Sequence, residues 1–223
     1  LSCSCFLLAF CSLNYEFLLA QMMSILGGHT VLFYSLTTGV YIFALGIGAI
    51  VPIDDLDRSA LWRRLFRLEV ILCILGGGVP FWLTILSRGA AVLNGGIALP
   101  TVLAMIPHMM LVVVIGLLSG MELPLLMRLV ESKLGQRAPS HMLVIDYLAS
   151  FVGALTFPIV LYPSLGVVRA AALLAGLNLL ALALSVPLPV FRPRFVAATC
   201  CGLAIVAVYW QGEVISRWLS HSL

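Results

Sequence analysis

Seven stretches of this chain are each apolar over roughly the 20 residues that an α-helix needs to cross a bilayer, and only short connections are left between them. They run near Cys3 to Leu26, Thr30 to Val51, Leu68 to Ser87, Leu99 to Leu118, Met142 to Leu161, Leu165 to Val186 and Phe195 to Tyr209. Inside hydrocarbon each backbone N–H and C=O must be satisfied within the segment, so runs of this kind fold as helices. Composition excludes a soluble domain: 62% of the 223 residues are hydrophobic and 9% are charged, too few to clothe a water-facing surface. The predicted fold is all-α, a polytopic membrane helix bundle of about seven transmembrane helices, with residues 1–223 forming a single transmembrane domain.

The charges orient the bundle. Of twelve Lys and Arg, nine fall in three loops: Arg58, Arg63, Arg64 and Arg67; Arg128, Lys133 and Arg137; Arg192 and Arg194. By the seven-stretch count all three loops lie on one side, which the positive-inside rule makes the cytoplasmic side of a prokaryotic inner membrane. The odd count then sends the C-terminus outward. A net charge of +3 spread over short loops offers nucleic acid no continuous basic face. The six cysteines lie in or beside apolar stretches, without zinc spacing, and read as packing residues. The chain opens on Leu1 with no charged leader before its first apolar run, so an upstream start is expected rather than a cleaved signal peptide. The stretch "PIDDLDRSALWRRLFRLE" carries Trp62 and apolar residues at helical spacing among its charges. A helix lying on the membrane surface and a solvated connector both fit it.

Three acids stand within or beside apolar runs, where a carboxylate costs roughly 2.5 to 3.5 kcal/mol at a helix centre. They are Glu16, Glu122 and Asp146. One helical turn from Glu16 lie Ser12 and Ala20, and one turn from Asp146 lie Ala149 and Ser150, with Gly153 beyond. Small residues on those faces predict a close helix neighbour rather than lipid. Ala44 with Gly48, Gly116 with Gly120, and Ala172 with Gly176 repeat that spacing. Two accounts of the acids stand side by side: a first-turn aspartate suited to the helix dipole and paired with Arg128 or an interfacial water, or inward carboxylates forming a site for a proton, a metal or an organic polycation. Metal-ligand spacing is absent, which makes the metal the weakest version, and no cofactor is implied. His108 beside Pro107 reads as a hydrogen-bonded packing residue rather than a haem ligand. "LGGGVP" at Leu75 to Pro80 reads as close packing or a kink. Pro107 and the following "SGMELPLLMRLV" leave the fourth stretch either kinked or running on past Leu118. "YEFLLAQMMSILGG" and "MELPLLMRLVESKLGQ" echo one another three stretches apart, the offset an inverted repeat requires, although chance accounts for so short a Leu-rich match.

"NYEFLLAQMMSILGGHTVLFYSLTTGVYIFALGIGA" (Asn14 to Ala49), "GMELPLLMRL" (Gly120 to Leu129) and "IDYLASFVGALTFPIVLYPSLG" (Ile145 to Gly166) resemble, in order, the membrane region of prokaryotic transmembrane spermidine synthases, the membrane-fused polyamine aminopropyltransferases. In full-length members that region precedes a Rossmann-like catalytic domain, which moves an aminopropyl group from decarboxylated S-adenosylmethionine to putrescine. The resemblance implies a chain without that soluble domain, since "WQGEVISRWLSHSL" closes it. It carries over no catalytic residue. It places Glu16, Glu122 and Asp146 on the acidic positions of the family motifs.

Three functions follow as expectations. The leading one is a spermidine synthase-like membrane domain that is non-catalytic by itself. The others are a polyamine or cation transporter or sensor using Glu16, Glu122 and Asp146, and a structural or accessory subunit of a larger membrane complex. The expected partners are the lipid bilayer, other membrane subunits and a polyamine.

Overall fold

The computed structural model describes residues 2–52, 57–93, 105–135 and 138–185, and all their regular structure is helical. The first two elements, α1 (Ser2–Gly27) and α2 (Thr30–Ala49), form an antiparallel hairpin in which the Tyr41 hydroxyl reaches back to the Ser12 carbonyl, 3.1 Å away. Next, α3 (Arg58–Gly77) is capped by Asp57, whose carboxylate accepts from the Ala60 N–H at 3.0 Å and the Ser59 hydroxyl at 2.6 Å. Those two hydrogen bonds, Ser59 first, hold the Asp57 carboxyl below its ordinary range. After Gly78 the chain bends by 61° into α4 (Val79–Leu93), and the Trp82 indole N–H donates to the Ile74 carbonyl across the bend. Then follow α5 (Ile106–Leu134), α6 (Ala138–Thr156), one π-helical turn (Phe157–Leu161) and α7 (Tyr162–Ser185).

Four stretches are long and apolar enough to cross a membrane: Ser2–Gly27, Thr30–Ala49, Ile106–Glu131 and Pro139–Ser185, with the bent pair α3 and α4 a fifth candidate. The last, at 47 residues, is about twice the length of one crossing, and it reverses. Ser2 faces His141, the position 14 side chain faces Gly153, and Gln21 donates to the Tyr162 hydroxyl, so α6 runs parallel to α1. Beyond Gly166 the direction inverts: the Cys11 thiol donates to the Leu174 carbonyl, well back along α1. Gly166, at φ 67° and ψ 179°, holds a conformation that is essentially glycine's alone, and the turn is built on it. The two expected stretches on either side of Tyr162 are therefore two legs of one hairpin, with α1 between them. In its most apolar window α1 is 67% buried, against 28% for α2, so α1 is the axis of the bundle and α2 its rim.

The small-residue motifs pack on one another. A Cβ on Gly48 would lie 2.1 Å from the Leu117 carbonyl oxygen, one on Gly120 would lie 2.0 Å from that of Leu45, and one on Gly116 would lie 2.9 Å from the Ala44 methyl. The sequence order of these contacts makes α2 and α5 parallel and nearly touching at the backbone. Of the third motif, Ala172 is buried but Gly176 meets nothing within 4 Å, so that pair is not a helix contact as a unit.

One expectation on extent is corrected. The third apolar stretch does not begin at Leu68 after a separate surface helix. One continuous α3 starts at Arg58 and buries Trp62, Leu65 and Phe66, because the helically spaced apolar residues face other helices. Of the two alternatives for the fourth, the structure shows the second: α5 runs on past Leu118 to Leu134, through Pro124. The stretch Phe195 to Tyr209, with Arg192, Arg194, Cys200 and Cys201, lies outside the described residues, as do positions 99–104. Chain direction puts Arg58, Arg63, Arg64, Arg67 and Arg128 at the end of the bundle where α1 starts.

Candidate functional site

Glu122 and Asp146 line one cavity of about 280 Å³, just under the usual 300 to 1,000 Å³ of ligand pockets. Cys5 and Ser12 reach it from α1, Leu45 from α2, Ser119 and Glu122 from α5, and Asp146 from α6. Each arrives for a local reason. The glycine contact of α2 with α5 draws Ser119 and Glu122 inward, and Pro124, which cannot donate to the Gly120 carbonyl, loosens α5 beside them. Ala149 and Gly153 lay α6 on α1, as the small face around Asp146 predicted, and bring Asp146 to Cys5. Glu122 is buried and Asp146 half-buried. Ser119 Oγ, also buried, lies within hydrogen-bond reach of the Tyr41 hydroxyl of α2. Among the described residues neither carboxylate is paired with a cation; Arg128 forms an ion pair with Glu131 at 3.2 Å.

Glu16 is not in this cavity. It is buried on α1 where that helix faces Tyr34 and Thr38 of α2, so the structure brings together two of the three expected acids. A different acid, Glu69 on α3, completes the group. It is fully buried, accepts a hydrogen bond from the Asn178 side-chain amide at 2.9 Å through one oxygen, and leaves Oε1 without a partner. It is close enough to Glu122 to interact electrostatically. Tyr15, Cys11 and Cys73 enclose it; the two thiols donate to the Leu174 and Ala175 carbonyls of α7. Sequence reasoning passed over Glu69 because it closes an Arg-rich stretch. The signal that could have found it was Asn178, a polar amide in the middle of an apolar run that had to have a buried partner.

His108 is a hydrogen-bonded packing residue: its Nε2 sits 2.8 Å from Ser87 Oγ and 3.2 Å from the Leu83 carbonyl. Among the described residues no three His, Cys, Asp or Glu side chains gather as a metal site would require.

Apolar helices of crossing length around a buried acidic cavity define a helical membrane protein. The sequence comparisons give its family. The chain is 36% identical over 166 residues to "Polyamine aminopropyltransferase 2" of Ralstonia nicotianae, covering 74% of this chain and 30% of that protein. It is 32% identical over 179 residues to "Polyamine aminopropyltransferase 1" of Streptomyces coelicolor, covering 79% and 31%. It is 32% identical over 218 residues to "Polyamine aminopropyltransferase" of Corynebacterium efficiens, covering 92% and 38%. The chain spans about a third of the length of the curated relatives it matches. Over that membrane-type segment it belongs with the bacterial polyamine aminopropyltransferases. No family model matches the chain, and no solved structure matches it.

Proposed function

We propose that residues 1–223 are a membrane domain of the polyamine aminopropyltransferase type, multi-pass in a bacterial inner membrane with the arginine-bearing end in the cytoplasm. By themselves they transfer no aminopropyl group. Their part is to bind a cationic amine of the polyamine class between Glu122 and Asp146. The observation that carries this is the pair of carboxylates sharing one cavity with the Ser119 hydroxyl and, among the described residues, no paired cation. Buried carboxylates without a counter-charge are costly, and a small ammonium ion fitting that space supplies the charge and the hydrogen-bond donors together. The names of the relatives supply the amine class.

The test is calorimetric binding of putrescine and spermidine to the chain in lipid nanodiscs. Saturable binding is expected, weakened at least tenfold, about 1.4 kcal/mol, when Glu122→Gln and Asp146→Asn are combined. Equal affinity in the wild type and the double variant sinks the proposal. The rival reading, an accessory subunit of a larger complex, is favoured by the outer face of α2, where Gly39 and Gly46 meet nothing within 4 Å and Phe43 is exposed. Co-purification of a stoichiometric companion lost on Gly46→Leu would support it.

A further inference from the structure

Beyond the cavity, the bundle buries a carboxyl group that no amine can reach. Glu69 is fully buried, does not line the cavity, and has an unpartnered Oε1; the Asn178 Oδ1 and the Tyr15 hydroxyl beside it are unpartnered as well. The groups facing it are Tyr15 and Cys11 from α1, Cys73 on its own helix, Glu122 from α5 and Asn178 from α7. None is a cation. An unpaired carboxylate in such a place is among the most expensive groups a membrane protein can hold, whereas a carboxylic acid with its proton on Oε1 and Oε2 facing the Asn178 amide carries no charge. Exposure falls in order along Asp146, Glu122 and Glu69, from half-buried to fully enclosed, with each neighbouring pair close enough to interact.

We propose that Glu69 is a proton-binding site at the closed end of this series, and that it keeps its proton while Glu122 gives its own up when a cation occupies the cavity. The inference rests on the cavity binding a cation, and it adds the ion that leaves. As an ammonium group arrives between Asp146 and Glu122, the Glu122 proton departs through the cavity mouth. The carboxylate left at Glu122 pairs with the ammonium, and Glu69 stays neutral, its Oε2 accepting from the Asn178 N–H at 2.9 Å. One positive charge enters and one leaves, so the buried charge is unchanged.

The experiment is proton counting during putrescine titration of the chain in nanodiscs, with calorimetry in two buffers of different ionisation enthalpy. Release of about one proton per amine bound is expected for the wild type and unchanged in Glu69→Gln, and it falls by half or more in Glu122→Gln. Loss of half or more of the release in Glu69→Gln, or full release in Glu122→Gln, overturns the proposal. Infrared spectra without amine separate it from the amine reading. A protonated-carboxyl band that exchanges slowly in D2O and disappears in Glu69→Gln supports the proton site even if no amine binds. Absence of such a band from the wild type, or its persistence in the variant, refutes it.

Discussion

Gly120→Ala tests the seam on which the cavity depends. The added Cβ would stand 2.0 Å from the Leu45 carbonyl oxygen, where ordinary contact begins at 3.4 Å, and the obstacle is backbone that no rotamer change can clear. The helices must part by more than an ångström. A gap of 0.5 to 1 Å already forfeits about a quarter to a half of a dispersion contact, so the loss extends along the seam to Gly116 and Gly48. Overpacking of this kind costs about 1 to 3 kcal/mol, and a backbone clash belongs at the upper end. For a chain of this size, about 3 kcal/mol corresponds to a fall in Tm of roughly 6 to 12 °C, read by thermal unfolding in mild detergent. Gly46→Ala is the control on the same helix. Its Cβ meets nothing within 4 Å, and the gain in helix propensity, up to about 1 kcal/mol, leaves Tm level or higher. If the two variants melt together, the α2 and α5 contact is not as close as described and the cavity wall has no such foundation.

Two further outcomes follow from local geometry. Gly166→Ala places a side chain at φ 67° and ψ 179° and should cost about 1 to 3 kcal/mol; an unchanged Tm would mean that the reversal can be made another way. The Asp57 carboxyl sits below its ordinary value of 3.8 in the folded chain, so its cap on α3 is fully present above the unfolded value and is lost as pH falls through the folded one. Amide exchange at the start of α3 should therefore rise, relative to other helix ends, below about pH 4. Asp57→Ala should remove that pH dependence, and a variant that kept it would assign the effect elsewhere.

Much of the architecture was legible locally. The ends of α1 and α2 follow from where apolar runs stop at Gly27, Gly28 and Val51, and the spacings around Gly48 and Gly120 announced a close neighbour that proved to be one another. The face of Ala149 and Gly153 likewise foretold that Asp146 points at a helix. "LGGGVP" proved to be both packing and kink, with Gly76 against the Tyr15 ring, Gly77 against Ala175, and the bend at Gly78. What local pattern could not give was partnership over distance. Glu69 and Asn178 are 109 residues apart, and nothing beside either one names the other. Arginines along the first turns of α3 also made a packed helix look like a surface one, since Arg63 and Arg67 stay exposed and Arg64 half-exposed while Leu65 and Phe66 turn inward.

The hairpin at Gly166 sets an order of assembly. The first described helix becomes the axis of the bundle, yet both legs that enclose it are translated more than a hundred residues later. Until positions 138–185 enter the bilayer, α1 must stand there with Asn14 and Glu16 shielded mainly by α2, the rim helix. A ribosome paused before Ala138 would leave a helix displaying polar groups to lipid, the kind of surface by which unfinished membrane proteins are retained or degraded. Completion of the second leg is therefore the step that encloses α1, and the same helix, α7, supplies Asn178 to Glu69.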